Sequence, residues 1–193
     1  HSLLKGRKVQ IVLGVYCLSK ANQAQVIEVK KFFPHEGYNS TAKVNDIMMV
    51  KLKQNVTLNS HVGILKLPQP SSTSDLKAGT KCHVAGWGST KLSGKGHSDV
   101  LREVNVTIVD QKACNSQYHK LRQEITKNML CAGNKKRKQD ICNSDSGGPL
   151  LCEDTYRGIA SFGTRKCQGK LPSVYTRLTR EYLGWIQHVM KNY

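Results

Sequence analysis

The chain has 193 residues, of which 38% are hydrophobic and 22% charged, a composition typical of globular proteins. Its 30 lysines and arginines outnumber 13 aspartates and glutamates and give a formal charge of +17, which favours polyanionic partners such as sulfated glycosaminoglycans. No stretch is long and apolar enough to span a membrane. No zinc-finger spacing, basic zipper or RNA-stacking motif accompanies the charge, so nucleic acid is not expected to be the primary partner.

Short strand-like runs, separated by Gly, Pro, Asn and Ser, follow one another along most of the chain. In chain order they cover 8–14, 25–33, 46–53, 81–89, 101–109, 149–153, 156–163 and 173–178. Many short strands at irregular spacing favour an all-β barrel or sandwich. Residues 67–80 are rich in Pro and Ser, carry no strand pattern and are predicted to link two halves.

The end of the chain has a helical pattern instead. Thr179 is a candidate N-cap for the segment 180–190, in which apolar residues recur at helical spacing. The residues predicted to share its buried face are Tyr182, Leu183, Ile186, Val189 and Met190. We therefore expect one C-terminal helix on a β-rich body.

The cysteines indicate the compartment only in part. There are seven, none in a CxxC pair, so a structural zinc site is not expected. Disulfides in a secreted protein and buried free thiols in a cytosolic one both remain open. Sequons at Asn39, Asn55 and Asn105 support secretion and glycosylation only weakly, because such triplets often arise by chance. The first residues, HSLLKGRKVQ, do not begin with Met and are interpreted as a processed or truncated end.

The segment ICNSDSGGPL, at 141–150, has the features of a nucleophile turn. Serine is a weak nucleophile until a base takes its proton, a further group orients that base and N–H donors stabilise the oxyanion. A tight glycine-rich turn exposes both the serine hydroxyl and backbone N–H groups. The full DSGGPL, which begins three residues after Cys142, is much more specific than a lone SGG.

With these residues the chain resembles the trypsin/chymotrypsin-type serine proteases, and within them the granzyme A and granzyme K branch. The resembling stretches keep the family's order and are VAGWGS (84–89), LREVNVTI (101–108), MLCAG (129–133), DICNSDSGGPLLC (140–152), GIASFG (158–163) and PSVYTRL (172–178). The resemblance implies an all-β fold of two six-stranded antiparallel β-barrels, the first truncated here, with a C-terminal α-helix. One protease domain would cover 1–193, with the remainder of the first barrel at 1–70, the second barrel at 77–178 and the helix at 179–193.

The resemblance also implies the catalytic residues. Ser146 matches the nucleophile, and Asp46, in NDIMMVKL (45–52), matches the carboxylate that orients the histidine. His1 matches the histidine itself, because the family's histidine precedes a strand like VQIVLG by about this distance. The backbone N–H groups of Ser144 and Ser146 would form the oxyanion hole. No metal or organic cofactor is implied.

A substrate pocket follows from the same matches. Asp140, six residues before Ser146, matches the pocket floor, where a carboxylate would pair with a substrate Lys or Arg. Ser173 matches a position on the pocket wall. The strand that would pair with the extended substrate is Ser161, Phe162 and Gly163. The implied disulfides are Cys82 with Cys152, Cys114 with Cys131, and Cys142 with Cys167, which leaves Cys17 over.

Four departures from the family pattern stand out. The family's freed N-terminus, whose ammonium pairs with the carboxylate that Asp145 matches, is not in this chain, so Asp145 is expected to be exposed or in a zymogen-like loop. The same segment would supply strands of the first barrel, so open sheet edges are expected. Ser2 replaces a cysteine beside the histidine. Ser144 and Ser173 replace glycines. Ser144 is expected to strain the backbone. Ser173 is expected to narrow the substrate pocket, which would hinder a substrate Arg more than a substrate Lys.

These features predict a granzyme A/K-type serine endopeptidase that cleaves after Lys or Arg, is made as a zymogen and is secreted or stored in cytotoxic granules for immune defence. Expected partners are peptide substrates, sulfated proteoglycan and serpin-type inhibitors. The alternative is a catalytically inactive homologue that binds heparin-like polyanions through its basic surface. The missing segment, Ser144 and Ser173 favour that alternative, while the matched catalytic and pocket residues oppose it.

Overall fold

A computed structural model describes residues 8–91, 93–134, 141–164 and 171–193. The strands within these ranges are β1 Gln10–Leu13, β2 Gln25–Pro34, β3 Met48–Leu52, β4 Lys81–Gly86, β5 Arg102–Val109, β6 Met129–Gly133, β7 Pro149–Cys152, β8 Thr155–Phe162 and β9 Ser173–Arg177. The α-helices are α1 Gln111–His119 and α2 Arg180–Asn192, and short 3-10 helices cover Leu18–Gln23 and Pro70–Ser72.

The strands form two antiparallel units. In the first, β2 lies between β1 and β3 in a three-stranded sheet, whose outer strands are edges among the described residues. In the second, six strands close into a barrel in the order β4, β5, β6, β9, β8, β7. The predicted all-β fold with a C-terminal helix is confirmed: one of the two predicted barrels is closed with six strands, and the one predicted to be truncated is a three-stranded sheet among the described residues.

Alternating side chains fill the barrel. Along β4, Cys82 and Val84 are buried while their neighbours are more exposed, and Val106 and Ile108 repeat the pattern on β5. A fully buried aliphatic side chain contributes about 1.5–3 kcal/mol relative to an exposed one. Every second residue of these two strands therefore contributes to the core, as expected of strands with one buried face.

Two of the implied disulfides are present. Cys82 pairs with Cys152 across the neighbouring strands β4 and β7, and Cys114 on α1 pairs with Cys131 on β6. Cys142 is also disulfide-bonded, while its implied partner Cys167 lies outside the described residues. Among the cysteines that are described, Cys17 is free and half-buried.

Helix α2 begins as the sequence predicts, because the Thr179 side chain accepts a hydrogen bond from the Tyr182 N–H at 3.3 Å. The prediction for Met190 is wrong, since its side chain is 67% exposed. Val189 takes the buried position in the last turn, and Met190 lies about 100° further round the helix, where it faces solvent. No helix in the described ranges has the length and apolarity to cross a membrane.

Helix α1 was not predicted. Asp110 caps it by accepting a hydrogen bond from the Ala113 N–H at 2.9 Å, and only Cys114 and Tyr118 are buried along it. Two buried residues one turn apart make a short apolar stripe, so the periodic signal in the sequence is weak.

Candidate active site

Asp46 lies just before β3 and is held by two strands of the barrel. Its Oδ2 accepts a hydrogen bond from the Ser161 hydroxyl at 2.6 Å, and its backbone carbonyl accepts one from the Thr176 hydroxyl at 2.8 Å. Ser161 and Thr176 are both buried and belong to the neighbouring strands β8 and β9. The carboxylate is therefore fixed at the seam between the two units.

Tyr38 lies near this carboxylate. Its hydroxyl is buried and makes no hydrogen bond with the described residues. Burial, together with the negative charge of Asp46, raises the pKa of Tyr38. The phenol therefore holds its proton more strongly than an exposed tyrosine does.

The turn that carries Ser146 is hydrogen-bonded to Ala160, the residue before Ser161 on β8. The Gly147 N–H donates to the Ala160 carbonyl at 2.8 Å, and the Ala160 N–H donates to the Gly148 carbonyl at 2.9 Å. Gly147 has a φ of +90°, a conformation that favours glycine, and Ser146 itself is exposed. Because Ala160 binds the turn and Ser161 binds Asp46, adjacent residues of one strand bring the two together.

Two N–H groups in this turn are unused. Neither the Ser144 N–H nor the Ser146 N–H donates a hydrogen bond to another residue in the described part of the chain. The flanking N–H groups of Asp145 and Gly147 are both engaged, with the Cys142 and Ala160 carbonyls. Two free donors on either side of Asp145 are the kind of group that stabilises an oxyanion.

Ser144 has a φ of +76°, in the left-handed region that glycine adopts freely. A residue with a Cβ is less stable there by roughly 1–2 kcal/mol. The strain expected from a serine in place of glycine is thus present. The N–H group of Ser144 survives the exchange, since only the side chain differs.

Asp145 points into a cleft of about 610 Å³ between the turn and β4. Its Oδ1 accepts the Gly88 N–H at 2.8 Å, and its Oδ2 accepts the Cys142 N–H at 2.9 Å. A Cβ at Gly86 or Gly88 would lie 2.0 or 2.2 Å from the carboxylate oxygens, so only glycine fits at both positions. Of the two alternatives expected for Asp145, the exposed one is wrong: the carboxylate is half-buried, and two backbone donors stabilise it.

Of the predicted substrate-binding and catalytic residues that remain, Ser173 and Phe162 are described by the structure, whereas Asp140 and His1 are not. Ser173 is buried on β9, and a Cβ built on Gly163 would lie 3.2 Å from its hydroxyl, so the hydroxyl faces the Gly163 backbone. Phe162 is half-buried and meets the Tyr118 ring edge-on, with ring centroids 5.6 Å apart. Asp140, predicted as the pocket floor, and His1, predicted as the base, both lie outside the described residues.

Sequence reasoning missed two features of this site. It assigned Ser161 only to the substrate-binding strand, whereas the Ser161 hydroxyl also binds Asp46. It also gave no role to Gly86 and Gly88, which make room for Asp145. The glycines of VAGWGS were visible in the sequence, but 57 residues separate Gly88 from Asp145 and no local pattern joins them.

Comparisons with known proteins agree with this geometry. The family model described as Trypsin matches residues 1–186. Granzyme A of Bos taurus is 40% identical over 190 residues, which cover 97% of this chain and 72% of that protein. Trypsin I-P1 of Gallus gallus is 38% identical over 185 residues, covering 95% and 71%. Mast cell protease 8 of Mus musculus is 37% identical over 186 residues, covering 96% and 71%. The chain belongs to the trypsin family of serine endopeptidases.

Proposed function

We propose that Ser146 is the nucleophile of this protease, Asp46 the carboxylate that orients the base, and His1 the base. The observation that carries the proposal is the pair of contacts on β8, where Ala160 holds the Ser146 turn and Ser161 holds Asp46. A nucleophile and the orienting carboxylate must lie on either side of one imidazole. Two anchors on adjacent residues of one strand are consistent with that separation.

The reaction would be acyl transfer. The Ser146 hydroxyl oxygen attacks the substrate carbonyl carbon while its proton passes to the imidazole, and the C–N bond then breaks as the imidazole protonates the leaving amine. Water attacks the acyl-enzyme by the same route and regenerates the serine. The free N–H groups of Ser144 and Ser146 would stabilise both oxyanions.

We propose cleavage after Lys or Arg, with Lys preferred. The preference for a basic side chain rests on the match of Asp140 to the pocket floor. The preference for Lys rests on Ser173, whose buried hydroxyl lies against the Gly163 backbone and occupies space that a glycine would leave open. A planar guanidinium is wider than an ammonium and suffers more from that narrowing.

The test is turnover of matched Lys and Arg thioester substrates by the protein expressed from its complete transcript. Ser146→Ala and Asp46→Asn are each expected to lower kcat by at least about 10⁴-fold. Glu153→Ala is a matched control, because Glu153 is an exposed carboxylate in the β7–β8 turn, outside the site. Full activity of Ser146→Ala would contradict the proposal, as would an enzyme that hydrolyses neither substrate.

We also propose that the protein is exported or stored in granules, where it meets sulfated proteoglycan and serpin-type inhibitors. The disulfides Cys82–Cys152 and Cys114–Cys131 support an oxidising compartment. Retention of an expressed, tagged protein in the reducing cytosol, with free thiols at these cysteines, would contradict this.

The basic surface with the best-defined geometry lies on β2 and β3. Lys31 and Lys51 are directly opposite each other in the register and both are exposed, with Lys30 beside them. Like charges placed opposite each other destabilise a sheet unless an anion lies between them. In this pair, the Lys31 ammonium lies over the Phe33 ring, 4.9 Å from its centroid.

The Lys51 ammonium donates to the Tyr193 carbonyl oxygen, and a sulfated chain would add anionic partners for Lys31 and Lys51 together. The nearby carboxylate of Glu28 is already paired with Lys53. Lys31→Gln with Lys51→Gln is therefore expected to lower the salt concentration that elutes the protein from heparin, with Lys77→Gln and Lys81→Gln as a control of equal charge. Equal elution of both variants would contradict a role for this surface. An inactive polyanion-binding protein is not favoured, given the family and the unused donors around Ser146.

A further inference from the structure

Asn45, the residue before Asp46, has both ends of its side-chain amide engaged. Its Nδ2 donates to the Gly37 carbonyl at 2.8 Å, and its Oδ1 accepts from the Tyr182 hydroxyl at 2.7 Å. Its backbone has a φ of +53°, in the left-handed region. The amide therefore joins two separate parts of the fold immediately before the carboxylate.

The two anchors of this amide differ in burial. Tyr182 is 1% exposed within the α2 cluster, which also contains Ile47, the residue after Asp46. Burial raises the pKa of Tyr182, so its hydroxyl keeps the proton that it donates. The other anchor, Gly37, is exposed, and a Cβ there would lie 2.9 Å from the Asn45 Nδ2, so a larger residue would displace the amide.

Helix α2 braces the same loop at a second point. The His35 ring packs on Tyr182 edge-on, with centroids 5.6 Å apart, and on Trp185 at 5.1 Å. The His35 Nδ1 also accepts the Gly37 N–H at 3.1 Å. The segment from His35 to Ile47 thus packs against helix α2 at both ends. The Asn45 amide links the two ends, because it binds both Gly37 and Tyr182.

We infer that Asn45 is a positioning residue for Asp46: its amide, held by Tyr182 and Gly37, fixes the direction in which the carboxylate leaves the loop. This inference rests on the proposed function, since it matters only if Asp46 orients the base. Asparagine fits for two reasons. It tolerates a left-handed backbone better than most residues with a Cβ, and its amide both donates and accepts, whereas a carboxylate would have no donor for Gly37.

Two substitutions separate the amide from the backbone. Asn45→Gly keeps the left-handed conformation and removes the amide, while Tyr182→Phe keeps the buried ring and removes one anchor. Displacement of a catalytic group by about 1 Å can cost on the order of 100-fold in rate. We expect kcat to fall about 10- to 100-fold for Asn45→Gly and about 3- to 10-fold for Tyr182→Phe, with KM changed less than about twofold.

The pH profile distinguishes positioning from a folding role. A carboxylate beside an imidazole stabilises the protonated imidazolium and raises its pKa. A displaced Asp46 does so less, so the acid limb of kcat/KM should move to lower pH in both variants. A variant that merely folds less well has fewer active molecules, but the limb of those molecules stays in place.

The experiment measures kcat, KM and the acid limb per active site, titrated with a serine-directed label, in the protein expressed from its complete transcript. Tyr156→Phe is the matched control, because Tyr156 packs against the same cluster and makes no hydrogen bond with the described residues of the loop. The double variant Asn45→Gly/Tyr182→Phe should lose no more than Asn45→Gly alone.

The outcomes separate the two claims. If Asp46→Asn lowers kcat while Tyr182→Phe leaves kcat and the acid limb unchanged, the inference about Asn45 is overturned and the proposed function stands. If Asp46→Asn leaves kcat unchanged, the proposed function is contradicted, and the inference about Asn45 falls with it. If Asn45→Gly does not fold, Tyr182→Phe against Tyr156→Phe still decides the matter, and an equal loss in those two would overturn the inference.

Discussion

Substitution of Gly88 by alanine tests how the Ser146 turn is held. A Cβ at this position would lie 2.2 Å from Asp145 Oδ2 and 2.3 Å from its Cγ, far inside contact distance. The carboxylate would have to leave the Gly88 N–H, which it accepts at 2.8 Å. Because Asp145 lies between Ser144 and Ser146, its movement would also displace the two unused N–H donors.

The expected magnitudes follow from these contacts. Loss of one hydrogen bond to a charged group costs about 1.5–3 kcal/mol. With some residual crowding we expect Gly88→Ala to destabilise the fold by about 2–4 kcal/mol, or to lower Tm by about 5–15 °C in a domain of this size. If the Ser144 and Ser146 N–H groups form the oxyanion hole, kcat should fall about 100- to 1000-fold as well.

Denaturant unfolding and single-turnover acylation measure the two effects separately. Gly63→Ala is the matched control, because a Cβ at Gly63 has no heavy atom within 4 Å and the residue has no positive φ. The reasoning is refuted if Gly88→Ala unfolds and acylates as the Gly63→Ala variant does. Destabilisation without a loss of acylation rate would mean that Asp145 stabilises the fold but does not shape the donors.

Three further predictions address specificity, covalent stability and pH. Ser173→Gly should raise the ratio of kcat/KM for Arg over Lys substrates, and an unchanged ratio would remove the steric argument. Cys82→Ala with Cys152→Ala should lower the free energy of unfolding by about 2–5 kcal/mol in denaturant titrations; a loss below about 1 kcal/mol would contradict it. Hydrogen bonds from Ser19 lower the pKa of Asp99 below its usual 3.8, so stability from this contact is present above pH 3.8 and is lost as pH falls through the lower native pKa. Asp99→Asn should flatten that part of the acid unfolding curve, and an unchanged curve would argue against the contact.

Eight of the nine described strands and the C-terminal helix could be predicted because their signals are local, whereas β6, Met129–Gly133, was not predicted. Short apolar runs between turn residues indicated the strands, and a cap with helical spacing placed α2. The burial of Met190 was predicted wrongly because helical spacing shows which residues share a face, but not how far round the helix its packing partners extend.

The rest depends on contacts between distant parts of the chain. The bond from Ser161 to Asp46 spans 115 residues, and the bond from Tyr182 to Asn45 spans 137. No periodicity in the sequence predicts such pairs, because closure of the barrel creates them. Helix α1 was missed for the opposite reason: its signal is local, but two buried residues are too few to stand out.

The most direct test of the central claim is the site of covalent labelling. The protein expressed from its complete transcript is treated with an organofluorophosphonate, and the modified peptide is mapped by mass spectrometry. We predict one adduct, on Ser146, formed at a rate that Asp46→Asn lowers strongly. Absence of labelling in folded protein, or an adduct on another serine that persists in Ser146→Ala, would contradict the assignment of Ser146 as the nucleophile.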